Sequence, residues 1–329
     1  MQLQKNNVIR AIARTLLTGT LFASATVCFS SNAAIISSSY GNAVHVDLSI
    51  TSNVANIVGA ITNASVNLGH TSGSAPEDYS HIKTIIGASA DATGSLGSAI
   101  DVTEFESALS TAIIEGESQS SLTSFVPTSF FTSGRGTIND LHLDLFSDLL
   151  GISGFLTLSA DVLSTVSQIN GNATPNSNVS LSTAGTSDIV NVEVNLLGKS
   201  VTATALENQS LFAGLNIADF GLGIFVNEVA KSCSDTLCTE TRNAVRISFD
   251  NFSLNAFYDA LFPVGGLLTG PVLDLTNNPT VNGDIILASS FASTTASTEV
   301  SAPSTFAIFL FAMGILSARR FNRHSVYHQ

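Results

Sequence analysis

Positive charge is scarce in this chain of 329 residues, and its placement is uneven. Lys5, Arg10 and Arg14 sit near the N-terminus and Arg319, Arg320 and Arg323 near the C-terminus. That leaves six basic residues between Ile35 and Glu299 against all 25 acidic ones, a net of −19. Such a stretch is repelled by nucleic acid and by anionic headgroups, and self-repulsion keeps it in solution. Catalytic patterns are scarce too. No G-x-S-x-G elbow, H-E-x-x-H helix, phosphate-binding loop or EF-hand loop occurs, so nothing points to an enzyme or to a cofactor. A secreted hydrolase with scattered catalytic residues stays as the second alternative.

The two ends read as processing segments. Residues 1–34 combine a basic start, an apolar stretch from Leu16 to Phe29 and small residues before Ala34, the layout of a secretory signal peptide that engages the translocon and signal peptidase. Val27 before Cys28 argues against a lipoprotein. At the other end, the apolar run Phe306–Ala318 stops at Arg319, Arg320 and Arg323. About 13 residues at 1.5 Å each span roughly 20 Å, short of the ~30 Å hydrocarbon core. The run therefore predicts a short transmembrane helix suited to transient membrane association, its arginines held on the cytoplasmic side.

Between the ends, residues 35–289 alternate apolar and polar residues with period two. In "IVNVEVNLLG", Val190, Val192, Val194 and Leu196 are expected on one face of a single strand, with Asn191, Glu193 and Asn195 on the other. "AVHVDLSI", "LHLDLF", "GFLTLSADV", "SVTATAL" and "AVRISFDNF" repeat the pattern, separated by Gly, Asn, Ser and Asp clusters that supply turns. "SAIDVTEFESALSTAIIEGES" carries helical spacing as well, but its β-branched residues favour strand. The expectation is one all-β domain, an antiparallel β-sandwich or barrel. The Ser/Thr-rich residues 290–302 read as a spacer, 303–323 as a sorting motif, helix and basic end, and 324–329 as a tail.

Few residues in the body invite chemistry. Cys233 and Cys238, the two cysteines left after the signal peptide, read as a disulfide closing a long hairpin between "GLGIFVNEVA" and "RNAVRISFDNF". So small a loop stabilises by roughly 2 kcal/mol. A zinc site lacks further ligands nearby, and a redox pair would have two intervening residues rather than four. His45 with Asp47, and His142 with Asp144, each place an imidazole and a carboxylate on one strand face. Brought together, the pairs could hold a divalent metal, while the simpler reading is an exposed polar face. Glu77, Asp78, Tyr79 and His81 gather in "GSAPEDYSH", expected as a loop that binds calcium or a ligand or is merely solvated.

The C-terminal segment resembles the PEP-CTERM sorting signal of bacterial exosortase substrates. Val300, Ser301, Ala302, Pro303, Ser304 and Thr305 stand at the motif, Phe306–Ala318 at the helix and the three arginines at the basic end. Ser301, Ala302 and Pro303 replace the usual Pro-Glu-Pro. The body is similar to the choice-of-anchor P family through "GSAPEDYSHIKTIIGASADATG", "VNLLGKSVTATAL" and "VNGDIILASSFA". These resemblances imply an exported protein, first tethered at the inner membrane and then at the cell surface or outside. An exosortase-type transpeptidase would cut it near Pro303, with exopolysaccharide and biofilm matrix as its setting. They imply no catalytic residues.

Overall fold

A computed structural model describes residues 35–51, 61–95, 104–123, 128–147, 155–173, 179–253, 256–257 and 280–296. The expected signal peptide, sorting motif and apolar helix lie outside the described residues. Among the described residues no helix is long and apolar enough to cross a membrane.

The alternating runs form strands, as their period dictates: β1 Ile35–Thr51, β2 Ile61–Leu68, β3 Thr71–Ala75, β4 Tyr79–Ile86, β5 Ser89–Ser95, β6 Glu104–Ser110, β7 Ile113–Ser120, β8 Ser129–Ser147, β9 Leu156–Ala173, β10 Val179–Thr183, β11 Thr186–Val190, β12 Glu193–Leu196, β13 Lys199–Thr202, β14 Gln209–Ser210, β15 Leu222–Cys233, β16 Leu237–Ser253 and β17 Thr280–Ala296. All pairings are antiparallel. One sheet has seven strands in the order β14–β15–β16–β17–β1–β2, with β3 beyond β2 along the same side of β1. The other has ten, built on the long pair β8–β9. β7 and β6 lie end to end along β8, with β4 and β5 outside them. β12, β11 and β10 follow one another along β9. The sheets pack face to face as a two-layer sandwich, and among the described residues no barrel closes.

The helical spacing around residues 104–120 is overruled: β6 and β7 are strands, broken only at Thr111 and Ala112. The strand expected there is thus present, whereas the expected spacer beginning at residue 290 is corrected, because β17 continues to Ala296. Its small residues are there to be buried: Ser290, Ala292 and Thr294 all face inward. "IVNVEVNLLG" is two strands rather than one. Asn191 takes φ 52° and donates from Nδ2 to Asp161 Oδ2 at 2.6 Å. Val190 turns outward, while Val192, Val194 and Leu196 stay buried.

This break belongs to a crease that runs across both sheets. In one it passes through Asn227 (φ 52°), Ala244, Ala288 (φ 49°), Ala43 and Gly69 (φ 67°). In the other it passes through Gly87 (φ 66°), Ala112, Asp140 (φ 51°), Asp161 and Asn191. The left-handed residues exchange a strand's two faces without shifting its register: Asn42 pairs with Ser289 before the crease and Val44 with Leu287 after it. In β1, odd-numbered residues point inward up to Ala43 and even-numbered ones from Val44 onward.

The crease divides two kinds of interior. On one side, Val44, Leu48, Leu143, Leu158, Val194, Ile224, Ile247 and Leu287 form an aliphatic core, capped by contacts among Phe146, Phe155, Phe249, Phe252 and Phe257. On the other, Gly41, Gly134, Gly136 and Gly116 bring backbone against backbone. A Cβ at Gly136 would collide with the carbonyls of Asn42 and Ser289. Hydroxyls then link the layers directly. Thr165 donates to the Ala288 carbonyl at 2.9 Å, Ser167 to the Ser290 carbonyl at 3.0 Å, and the Ser167 and Ser290 hydroxyls meet at 2.9 Å.

Candidate functional site

β3 belongs to one sheet and β4 to the other, so Pro76–Asp78 carries the chain across the sandwich edge. Ser72, Gly73, Ser74 and residues 77–81 line an open hollow of about 640 Å³ there. The expected loop is shorter than read: only residues 76–78 are irregular, while Tyr79 and His81 stand on β4. Gly73 is required at this spot because the Tyr79 ring lies across it, where a Cβ would overlap the ring. The Tyr79 hydroxyl meets Ser39 Oγ at 2.8 Å. Burial raises the Tyr79 pKa above 10.0, against the opposing pull of its hydrogen bonds to Ser39.

His81 Nδ1 lies 2.9 Å from the Ser72 carbonyl, so in the neutral ring Nδ1 carries the proton and Nε2 is left as acceptor. The two rings are 5.8 Å apart. With Glu77 and Asp78 beside them, the hollow offers carboxylates, hydroxyls and an imidazole without a nucleophile–base pair. That arrangement suits a hydroxylated ligand.

The two His/Asp pairs are not brought together. Val44 and Leu48 point inward from β1, so His45 and Asp47 lie on the outer face of the seven-stranded sheet. Leu141, Leu143 and Leu145 point inward from β8, so His142 and Asp144 lie on the opposite outer face. Among the described residues no three His, Cys, Asp or Glu side chains gather as a metal-binding group. The hairpin is as expected: Cys233 and Cys238 face each other across β15 and β16 and are bonded, with Cα atoms 4.1 Å apart.

Sequence reading missed a buried ion pair. Glu240 is fully buried on the inner face of β16, and its Oε2 accepts from the backbone N–H groups of Gln168 at 3.1 Å and Gly185 at 3.0 Å. Arg242 Nε donates to Oε1 at 2.9 Å, and Arg242 reaches on to Ser187 and Glu207. Gln168 falls between the stretches of β9 paired with β10 and with β11, so its N–H would otherwise be buried unpaired. The pair therefore fastens one sheet to the irregular edge of the other. The signal was present in "CTETRNA", where Glu240 and Arg242 share a strand face with Cys238 and Ala244.

Other cations are also engaged. Arg246 binds Asp284 at 2.9 Å and Glu228 at 3.0 Å on the outer face. Burial lowers its pKa, but the two carboxylates outweigh that and raise it. Arg135 sits between Glu115 and Glu117. No family model matches the chain, and no curated protein or solved structure is significantly similar to it.

Proposed function

We propose that this chain is an exported cell-surface or extracellular-matrix protein with a structural or interaction role, processed at a C-terminal sorting signal. The observation that carries the reading is the order of the last thirty residues: Pro303 within Val300–Thr305, then a short apolar run, then Arg319, Arg320 and Arg323. The protein is on this reading the substrate of an exosortase-type transpeptidase rather than a catalyst. The Cys233–Cys238 bond supports export, since disulfides persist in oxidising compartments. Mass spectrometry of the mature C-terminus tests the proposal. A terminus near Pro303 is expected, and peptides containing Phe321–Gln329 in the mature protein would refute it.

A second reading, a calcium- or carbohydrate-binding adhesin module, is favoured by the hollow between Ser72 and His81. Titration calorimetry of the purified chain with Ca²⁺ and Zn²⁺ separates its metal form, because absence of heat at millimolar metal removes it.

A further inference from the structure

On the Tyr40 side of the crease, the outer face of the seven-stranded sheet is built of aromatic, aliphatic and hydroxyl side chains. Tyr40 and Phe291 form a cross-strand pair flanked by Ser72 and Thr241, with the two rings 5.2 Å apart and inclined by 16°. The next outward row is Ser74, Ser38, Ser293 and Thr239. The row beyond it sets Thr295 between Ile36 and Leu237, which are 58% and 45% exposed. No acidic or basic side chain stands in these three rows, although the stretch from Ile35 to Glu299 carries a net −19. The charges of this sheet face lie at or beyond the crease instead, in Asp47 and the Glu228, Arg246 and Asp284 ladder.

We propose that this face binds a neutral polysaccharide. Ring faces and exposed aliphatic side chains suit the apolar C–H surfaces of pyranose rings. The intervening serine and threonine hydroxyls, each a donor and an acceptor, suit sugar hydroxyls. A polyanionic glycan meets no lysine or arginine in these rows, where His70 lies 6.0 Å from the Tyr40 ring, and it is repelled by the acidic body, while an uncharged one incurs no such penalty. The antiparallel strands present the rows side by side, which fits an extended chain rather than a single sugar. The face meets the hollow beside His81 at Ser72 and Ser74, which border both, while Tyr40 and Phe291 stand outside the hollow. The proposal deepens the surface-protein reading, but binding in solution needs no C-terminal processing, so each can fail without the other.

Affinity electrophoresis of the full chain through gels containing hydroxyethyl cellulose, glucomannan, dextran or alginate tests it. Retardation by at least one of the three neutral polymers is expected, unchanged between low and high salt. Binding should weaken at least about tenfold in Tyr40→Ala and again in Phe291→Ala. Thr241→Glu, an outward substitution that leaves the interior untouched, should weaken it similarly and serves as the check if an aromatic variant misfolds. No retardation by any neutral polymer, retardation by alginate alone, or retardation that survives these substitutions overturns the proposal. So does a dimer in solution that Tyr40→Ala dissociates, because the face would then be covered by a second copy.

Discussion

From Ile35 to Ala43, β1 points two serines, a glycine and an alanine into the sandwich between its terminal isoleucine and the crease. From Val44 to Ile50 the same strand points in valine, leucine and isoleucine. β8 and β17 change character at the same level, so each half of the molecule has its own way of joining two sheets. In the aliphatic half the layers are held apart and filled, and stability comes from apolar area removed from water. In the small-residue half they are drawn together until hydroxyls and the Glu240–Arg242 pair bond across the gap. One half depends on large side chains throughout, and the other on glycines and hydroxyls interleaved with Ile114, Ile138, Leu163 and Ile169. The burial of Thr165, Ser167, Ser290 and Glu240 is offset because each finds a partner in the facing sheet.

Substitutions should therefore act in opposite senses in the two halves. The largest effect is expected from Gly136→Val, which forces side-chain atoms into the Asn42 and Ser289 carbonyls. A loss of upwards of about 4 kcal/mol, read by urea unfolding, is the expected result. A neutral outcome would mean that the layers separate freely there. Glu240→Ala comes next, at about 3–4 kcal/mol, because it strands a buried guanidinium and two backbone N–H groups. The double change Glu240→Leu with Arg242→Met should recover part of that loss, and no recovery would show that the N–H groups dominate. Leu158→Ala, in the aliphatic half, should cost about 3 kcal/mol through the cavity it leaves, while Gly136→Ala should already be harmful on the other side of the crease.

The smallest effect concerns Tyr79. Its folded pKa lies above the unfolded value of 10.0, so the folded state holds its proton more tightly. The associated stability is fully present below pH 10 and is lost as pH rises through the folded pKa. Tyr79→Phe should flatten the alkaline limb of a Tm-against-pH curve, and an unchanged limb would place its origin elsewhere.

Period-two alternation made the strands, the antiparallel class and the disulfide hairpin legible in the sequence, because each rests on local spacing. The crease was not, since a left-handed residue at Asn191, Asp140 or Ala288 is invisible where both parities carry small or apolar residues. "IVNVEVNLLG" continues its alternation straight through the break, and the change of face shows only in the folded chain, where Val190 is exposed and Val192 buried. Likewise the Ser/Thr run after Ala288 has the composition of a linker. Its burial follows from glycines in a strand that is distant in sequence. Of the candidate site, Glu77, Asp78, Tyr79 and His81 were found from their clustering, but Ser39 and Ser72 come from other strands and could be supplied only by the fold.

The position of β17 has a mechanical meaning. It is an inner strand, bonded along its length to β1 and β16, and its last residue, Ala296, pairs with Ile35 and donates to the Thr236 carbonyl beside the disulfide loop. A pull applied through the chain beyond Ala296 would load both ladders in shear, so many hydrogen bonds must yield together instead of one by one. Traction on a β-sheet is resisted best in that direction, and a body held by its C-terminal end would bear force through its best-connected strand.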